Sequence, residues 1–363
     1  MPKKCWDKAV SEQLESLENS PTLYKPTLFW EPLKARILND IKEYGIENFK
    51  AFPSSLDAFV GRYGPPANGF SEASTDEVYE VAKRGGLSGN NLKMLRSFIS
   101  GRMSAIADYR VLRSGIVGNQ TNCWLELDGY SESDYGGLKE QFEFDGKVHS
   151  RNSLNYMLML QFFQRIVGQN VAPKSVLEIG GGWGVLGEII GKCEKPATHR
   201  TRYINFDIPP VSTIAEYYLQ KVFGKGRCCT FSDLDESKFF VDDLPKFTVQ
   251  PAWRIANLNG EVDMLVNSIS FQEMEPEIIR NYLGHARRLN AKYLLLRNIR
   301  EGKKTKRQDS YAESVVREPV TTEFYIRECK QLRYKAIGHN VIPYGRKTAD
   351  GFHSEVSIFI DDS

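Results

Sequence analysis

The sequence has little or nothing of several features that mark whole classes of protein. Its six cysteines include no C-x-x-C pair, and the adjacent Cys228-Cys229 is better explained by strand packing than by redox chemistry. No apolar run is long enough to cross a bilayer, and the N-terminal residues MPKKCWD contain no apolar core of a signal peptide. The net charge of +2 lacks the strong positive excess of a chain that binds nucleic acid. We therefore expect a cytoplasmic protein with reduced thiols, and neither a membrane nor a nucleic acid as its partner.

The most informative stretch, residues 175–187, has the pattern of a buried strand, a glycine turn and the start of a helix. Residues 175–179 form a short apolar run with one acid, Glu178, as expected of a central parallel strand. Gly180, Gly182 and Gly184 follow at alternate positions, where glycine lets the backbone turn sharply and lets a ligand approach. Apolar residues then recur at helical spacing: Val185, Leu186, Ile189 and Ile190. The N-terminus of such a helix offers free backbone N–H groups to a bound ligand.

Two kinds of cofactor site use a turn of this pattern, and the stretch satisfies both. Residues 182–187 match G-x-G-x-x-G, the dinucleotide pattern, which by itself is a weak signal. Residues 178–184 match E-x-G-x-G-x-G, which resembles the first motif of class I S-adenosylmethionine methyltransferases. An acid at the strand end would repel a diphosphate, whereas S-adenosylmethionine carries a sulfonium and an ammonium group. Glu178 therefore favours S-adenosylmethionine, and an NAD(P)-dependent oxidoreductase is kept as the alternative.

A second acid ends the next predicted strand. Residues 203–207 alternate apolar and polar side chains and end in Asp207, which is followed by Ile208 and Pro209. Asp207 lies about twenty residues beyond the glycine turn. At the carboxyl end of a second strand, such a carboxylate can accept hydrogen bonds from both ribose hydroxyls of an adenosine. This spacing fits NAD as well as S-adenosylmethionine, so it predicts a nucleoside without naming it.

The third strand of the sheet is ambiguous in the sequence, whereas the fourth is predicted at a single place. Residues 227–233 and 246–253 compete for the third strand, and the first choice would place Ser232 or Asp233 near the adenine. The fourth strand, residues 262–268, continues into polar residues that precede a helix opened by Glu275-Pro276-Glu277. Ligands bind at the carboxyl ends of strands in open α/β sheets. We therefore expect the polar residues after this strand to line the same crevice: Asn267, Ser268, Gln272 and Glu273.

Three segments together resemble the sugar O-methyltransferase family of bacterial surface-polysaccharide clusters. They are residues 178–184, the sequence Phe206-Asp207-Ile208-Pro209 and residues 267–274, NSISFQEM, of which Ser-Phe-Gln-Glu-Met is the most specific part. The resemblance covers roughly residues 130–300. It implies S-adenosyl-L-methionine as cofactor and, as acceptor, the hydroxyl of a sugar that is free, nucleotide-linked or glycan-bound. The strands predicted at 291–297, 334–341 and 352–360 are similar to the end of the class I methyltransferase sheet, which is α/β and Rossmann-like with helices on both faces.

These patterns give a set of candidate site residues. The predicted cofactor-binding residues are Glu178, Gly180, Gly181, Gly182, Trp183, Gly184, Asp207, Ile208, Ser232, Asp233, Asn267 and Ser268. Glu273 is favoured as the general base because it follows a strand end beside the expected cofactor, and His285 and His149 are the other candidates. The predicted acceptor-binding residues are Arg151, Gln272, Arg297 and His353. We expect no metal, since the acids Asp233, Asp235 and Glu236 are equally compatible with an exposed turn.

The length of 363 residues suggests about two domains of ~150 residues each. We divide the chain into a helical N-terminal region, residues 1–125, and a methyltransferase domain, residues 126–363. Helices are predicted at 30–46, 78–84 and 91–113, with a further helix before the glycine turn that Gly168 ends. The N-terminal region contains no catalytic motif, so it is a scaffold, a substrate cap or the contact of a homo-oligomer. A basic loop at residues 301–310 is interpreted as solvated, or alternatively as a lid over an anionic acceptor. A methyltransferase-like fold that only binds its ligand remains a further alternative.

Overall fold

The structure is a computed structural model that describes residues 3–64, 72–115, 123–194, 201–235, 237–303, 316, 318–342 and 353–363, apart from the side chains of residues 3–5, 57 and 72–74. Its helices are α1 (Lys3–Glu18), α2 (Glu31–Tyr44), α3 (Pro53–Ala58), α4 (Glu72–Arg84), α5 (Gly89–Ile99), α6 (Arg102–Gly115), α7 (Arg151–Val167), α8 (Val185–Cys193), α9 (Val211–Phe223), α10 (Pro276–Arg288) and α11 (Thr322–Gln331). The strands of its main sheet are β1 (Ser175–Ile179), β2 (Arg202–Asp207), β3 (Cys228–Cys229), β4 (Phe247–Pro251), β5 (Met264–Ser268), β6 (Tyr293–Ile299), β7 (Tyr334–Val341) and β8 (Ser354–Asp361).

The main sheet has the order β7-β8-β6-β5-β1-β2-β4-β3. The strands from β6 to β3 run parallel, while β8 is antiparallel to both of its neighbours. The helices α8 and α9 follow β1 and β2, and α10 connects β5 with β6. Helices cover both faces of the sheet, since parallel neighbours need crossover connections. The predicted α/β class, the Rossmann-like sheet of class I methyltransferases and its closing antiparallel pair are confirmed.

Two apolar clusters lie on opposite faces of this sheet, and the alternation of side chains along each strand assigns residues to them. In β1, Val176 belongs to the cluster formed with α7, α8 and α9, and its neighbour Leu177 belongs to the cluster formed with α10 and α11. Every residue of β1 is buried, as is expected of a strand covered on both faces. The glycine turn after β1 is therefore anchored at the centre of the molecule.

The third strand of the sequence prediction is in fact two strands. β4 pairs with β2 through Asn205 and Val249, whereas β3 is only two residues long and lies at the edge of the sheet beyond β4. The segment 246–253 is thus the neighbour of the Asp207 strand. The sequence left this segment and the segment 227–233 as alternatives for that place, because periodicity finds strands but does not order them in a sheet.

The N-terminal helices pack against the sheet domain through the apolar cluster formed with α7, α8 and α9. Trp6, Ile37 and Phe52 share this cluster with Leu154 and Trp183, although the predicted division after residue 125 would separate them. In α1, Gln13 donates to Glu216 of α9 at 3.0 Å. The division into two domains stays a prediction.

Two helix boundaries differ from those predicted. The helix expected at 78–84 begins earlier, at Glu72. The helix expected at 91–113 is broken into α5 and α6 at Gly101, which has a φ of 80° and packs against Gly64. A Cβ at Gly101 would lie 2.5 Å from the Gly64 nitrogen, so contact with a distant segment fixes the break. The helix that ends before Gly45 and the helix that ends before Gly168 are confirmed.

Among the residues that the structure describes, no helix has the length and apolar character needed to cross a membrane.

Candidate active site

The glycine turn leaves one open face. Gly180, with a φ of 66°, packs under Ser270, and a Cβ there would overlap the serine hydroxyl. Gly182, with a φ of 59°, is different, because the nearest atom to a Cβ built on it would be the Phe59 Cβ at 3.9 Å. A residue with a side chain is strained at such a φ, so glycine is required at both positions. Room for a ligand therefore lies at Gly182, beneath Phe59 of the N-terminal region.

Glu178 lies beneath the turn, not in it. Its carboxylate is buried and accepts hydrogen bonds from the hydroxyls of Tyr156 at 2.7 Å and Tyr203 at 2.5 Å. Burial raises the pKa of Glu178 to about 7, although the two phenols oppose this shift. A Cβ at Gly181 would lie 2.5 Å from a Glu178 carboxylate oxygen, so this acid also requires glycine above it. Its predicted contact with the cofactor stays a prediction, and a direct repulsion of a diphosphate is not supported by this position.

Asp207 ends β2 and faces the open glycine. One carboxylate oxygen accepts the N–H of Gly182 at 2.8 Å, and the other accepts the N–H of Ile208 at 2.7 Å. Burial raises the pKa of Asp207 to about 7, and the charges of Glu178 and Glu273 add to this effect. Each oxygen of a carboxylate has two lone pairs, so one on each remains for a further donor. The carboxylate is held at the turn by backbone groups and is equipped to accept two more hydrogen bonds.

The end of β5 closes over the same turn. Asn267 donates to the carbonyl oxygen of Ile179 at 3.0 Å, and the Ser270 hydroxyl donates to that carbonyl at 3.0 Å. Between them, Ile269 has a φ of 78° and is 37% exposed. A β-branched residue with a positive φ is a genuine outlier, and such strain is concentrated at functional sites. The predicted crevice residues Asn267 and Ser268 thus lie beside the turn, as the strand order requires.

Glu273 lies in the short helical turn Ser270–Glu273 and is held from two sides. Trp30 donates its indole N–H to one carboxylate oxygen at 3.0 Å, and Lys303 forms an ion pair with the other at 2.5 Å. Thr27 also donates to the Glu273 carbonyl oxygen at 3.0 Å. Each carboxylate oxygen thus has one described partner and a second lone pair that a ligand could use. Its role as general base stays a prediction.

The two histidine candidates are poorly placed for proton transfer. Arg288 donates to Nδ1 of His285 at 3.1 Å, which leaves Nε2 of a neutral ring to carry the proton toward the Tyr24 hydroxyl at 2.7 Å. Burial lowers the pKa of His285 to about 4, so its ring is neutral at pH 7 and its lone pair is committed to Arg288.

His149 is buried beside Tyr109, and neither ring nitrogen has a hydrogen-bond partner in the described part of the chain. Burial lowers the pKa of His149 to about 4. We therefore drop both histidines as candidate bases, because one lone pair is occupied and the other ring is enclosed by aromatic side chains.

The predicted acceptor-binding residues divide into two groups. The side chain of Gln272 accepts the backbone N–H of Ile299 at 2.8 Å and so ties the loop to β6. His353 pairs with Glu301 beyond the end of β6. Arg151 donates to the carbonyl oxygen of Arg62 at 2.7 Å, and Arg297 lies inside the crevice next to Ser268. Of these four residues, Arg151 and Arg297 lie close enough for their charges to interact.

The other predicted positions lie elsewhere or outside the described residues. Asp233 accepts the backbone and side-chain donors of Thr230 after β3, so Ser232 and Asp233 lie one strand farther from Asp207 than expected. The basic loop at 301–310 is described only as far as residue 303. Within the described ranges, no group of three His, Cys, Asp or Glu side chains is arranged to hold a metal ion.

The N-terminal region contributes side chains that no local pattern predicted. Trp183 of the glycine turn is buried between Phe49 and Phe59, with ring centroids 6.1 Å away in each case. Lys50 lies 5.3 Å from the Trp183 ring and donates to Glu132 at 3.0 Å. The one hint in the sequence was the aromatic and basic content of residues 49–59, which local periodicity alone does not connect with residue 183.

The sheet order, the glycine turn and the acid that ends β2 define the class of this protein as the class I methyltransferase fold. No family model matches the chain, and no curated protein matches it. Among solved structures, it is similar to magnesium protoporphyrin IX methyltransferase of Synechocystis with bound S-adenosylhomocysteine, with 11% identity, 58% of this chain and 84% of that chain covered, and a TM-score of 0.40. It is also similar to a cyclopropane synthase of Mycobacterium tuberculosis, with 11% identity, 52% and 78% of the two chains covered, and a TM-score of 0.35.

Proposed function

We propose that this chain is an S-adenosylmethionine-dependent O-methyltransferase that acts on a sugar hydroxyl in bacterial surface-polysaccharide or glycoconjugate biosynthesis. The observation that carries the proposal is the buried Asp207 carboxylate, held at the open glycine by the N–H of Gly182 at 2.8 Å. The sugar is supported by the resemblance of residues 267–274 to the sugar O-methyltransferase family. When bound, S-adenosylmethionine supplies a methyl group made electrophilic by its sulfonium.

The residues around the turn fit this cofactor better than a dinucleotide. Gly182 provides room, and Asp207 keeps one lone pair on each oxygen for the two ribose hydroxyls. Each hydrogen bond to a charged acceptor contributes about 1.5–3 kcal/mol. The N–H of Gly182, which a diphosphate would need, is already taken by Asp207. The charges of Asp207 and Glu273 repel each other, so a cationic ligand is favoured over an anionic one.

The chain's own part in methyl transfer is to position the acceptor and receive its proton. Holding two reacting groups in line can supply ~7–11 kcal/mol of the barrier. A general base contributes typically ~10²–10⁴-fold, and Glu273 remains the candidate because it is near enough for its charge to act on Asp207. In this proposal Lys303 shifts away from the Glu273 carboxylate when the acceptor binds. Trp30 then keeps the carboxylate oriented.

The first experiment is calorimetric titration of the purified chain with S-adenosylmethionine, S-adenosylhomocysteine, NAD and NADP. We expect micromolar binding of the first two ligands alone. Binding of NAD or NADP alone would move the chain to the oxidoreductases that share the overlapping G-x-G-x-x-G pattern. Binding of none of the four would favour a non-catalytic module.

Two variants test the proposed binding residues, each with a matched control. Asp207→Ala should abolish cofactor binding, while Asp242→Ala should not, because Asp242 is an exposed acid near the opposite end of β2. Gly182→Val should also abolish binding, whereas Gly224→Val introduces a side chain at a similar positive φ with open space around it. Equal loss in a variant and its control would indicate general unfolding and not loss of a contact.

A further inference from the structure

Arg297 is a buried cation whose hydrogen-bonding capacity is used only in part by the described residues. It lies in β6 opposite Ser268 in the parallel register and is 5% exposed. Its one close polar contact is long, with 3.5 Å between Nη1 and the Ser268 hydroxyl. Its Nε has no hydrogen-bond partner in the part of the chain that the structure describes. A buried donor or charge left without a partner is costly, so this state is unusual for a side chain that serves packing alone.

The charges around Arg297 do not neutralise it fully. Burial lowers the pKa of Arg297 to about 10, and the nearby charge of Arg151 adds to this effect, so the group is still a cation at pH 7. Asp108 acts in the opposite direction but already accepts the hydroxyl of Tyr63 at 2.5 Å. No described carboxylate forms an ion pair with Arg297. Two acids accompany the two guanidinium groups: Asp108 acts on Arg297, and Glu140 acts on Arg151. Glu140 already accepts two backbone N–H groups at 2.7 Å each.

The position of Arg297 connects it with the cofactor crevice. Its carbonyl oxygen accepts the N–H of the strained Ile269 at 2.7 Å. The charge of Arg297 also acts on Tyr156, whose hydroxyl donates to Glu178 beneath the glycine turn. Arg297, with its unpartnered Nε, is thus at the carboxyl edge of the sheet, one strand beyond β5. In open α/β sheets, ligands bind outside the carboxyl ends of the strands.

We propose that Arg297, assisted by Arg151, binds an oxyanion of the acceptor, so that the sugar is an anionic one carrying a carboxylate or a phosphate. The proposal rests on the methyltransferase function proposed above and narrows its substrate class. A guanidinium presents Nε and a terminal nitrogen as a fork that matches two oxygens of a carboxylate or a phosphate. The free Nε is the donor that such a fork requires. Ser268 and Ile269 lie beside it, between the anion site and the glycine turn.

The test is calorimetric titration of the chain saturated with S-adenosylhomocysteine, using D-glucuronate, UDP-glucose, inorganic phosphate and neutral D-glucose as probes. We expect at least one anionic probe to bind, and D-glucose to bind at least tenfold more weakly. Binding of glucuronate alone identifies a carboxylate, and binding of UDP-glucose or phosphate identifies a phosphate. No binding of any anionic probe at millimolar concentration would overturn the proposal, and so would equal binding of D-glucose.

Variants of the two arginines connect the binding to this site. Arg297→Gln should weaken the binding of the anionic probe by about 10- to 100-fold. Arg297→Lys keeps the charge and loses the fork, so its affinity for the probe should lie between those of Arg297→Gln and the wild type. If Arg297→Gln does not fold by circular dichroism, Arg151→Gln replaces it and should weaken the same probe. Unchanged affinity in the folded variant would refute the proposal.

A further comparison separates this proposal from the one on which it rests. If Arg297→Gln weakens the binding of S-adenosylhomocysteine as much as that of the anionic probe, the guanidinium holds the cofactor's own carboxylate. The assignment of Arg297 to the acceptor site is then wrong. If the cofactor binds and no probe depends on Arg297, the methyltransferase function stands and the anionic acceptor fails. If the cofactor does not bind to the wild type at all, the proposed function fails first.

Discussion

Replacing Glu178 by glutamine should make the stability of the protein less dependent on pH. Burial raises the pKa of Glu178 from 4.5 to about 7, so the folded chain keeps this proton at pH values where the unfolded chain has lost it. The stabilisation is complete below the unfolded pKa and is lost as the pH rises through the folded pKa. At ~1.4 kcal/mol for each unit of pKa, the loss is about 3 kcal/mol. Glutamine has no proton to lose and retains the volume of the side chain.

The assay is urea unfolding of the wild type and Glu178→Gln at intervals from pH 5 to pH 8. The stability of the variant relative to the wild type should rise by about 2.5 kcal/mol over this range. Asp207 and Glu216 also have pKa values raised by burial, so the wild type should lose more stability than Glu178 alone explains. Glu277→Gln, at an exposed position of α10, is the control and should follow the wild type. A difference between Glu178→Gln and the wild type that is the same at every pH would refute the reasoning.

Three more predictions follow from contacts of the N-terminal region and the crevice. Glu273→Gln should keep S-adenosylhomocysteine binding and slow turnover by about 10²- to 10⁴-fold, with Glu277→Gln as a control, and unchanged turnover would remove Glu273 as the base. Lys50→Met breaks a fully buried ion pair with Glu132 and should lower the free energy of unfolding by about 3–5 kcal/mol, whereas adding Glu132→Gln should recover much of this loss in denaturant titrations. Phe98, on α5, is 70% exposed, so if the N-terminal helices form a homo-oligomer, Phe98→Asp should reduce the mass measured by light scattering.

Much of the sheet domain could be predicted because its signals are local. The apolar run of β1, the glycines that follow it and the helical spacing after Val185 lie within a few turns of chain. Asp207 was predicted by its distance from the glycine turn, and the structure puts its carboxylate on the Gly182 nitrogen. The sequence could not show which of two segments is the neighbour of β2. The alternation of apolar residues identifies a strand but does not show which strand it pairs with, and β2 pairs with β4.

Side-chain roles were harder to predict than strand positions. Glu178 was expected to face a ligand, yet two tyrosine hydroxyls enclose it beneath the turn. His285 was a candidate base until the structure placed Arg288 on one ring nitrogen and Tyr24 near the other. A sequence gives the residue types available near a strand end, while burial and partners decide which lone pairs remain free.

The sequence by itself determined the alternation of strands and helices, the strained glycine positions and the acid at the end of β2, because each depends on the backbone and on near neighbours. Only the tertiary structure decided what covers the crevice and which charges meet there. Trp30 reaches Glu273 across 243 residues, and Lys50 reaches Glu132 across 82. Arg297 has no described counterion for the same reason, since the charges around it come from segments far apart in the chain. Such contacts are fixed by the packing of the whole core, and no local period in the sequence records them.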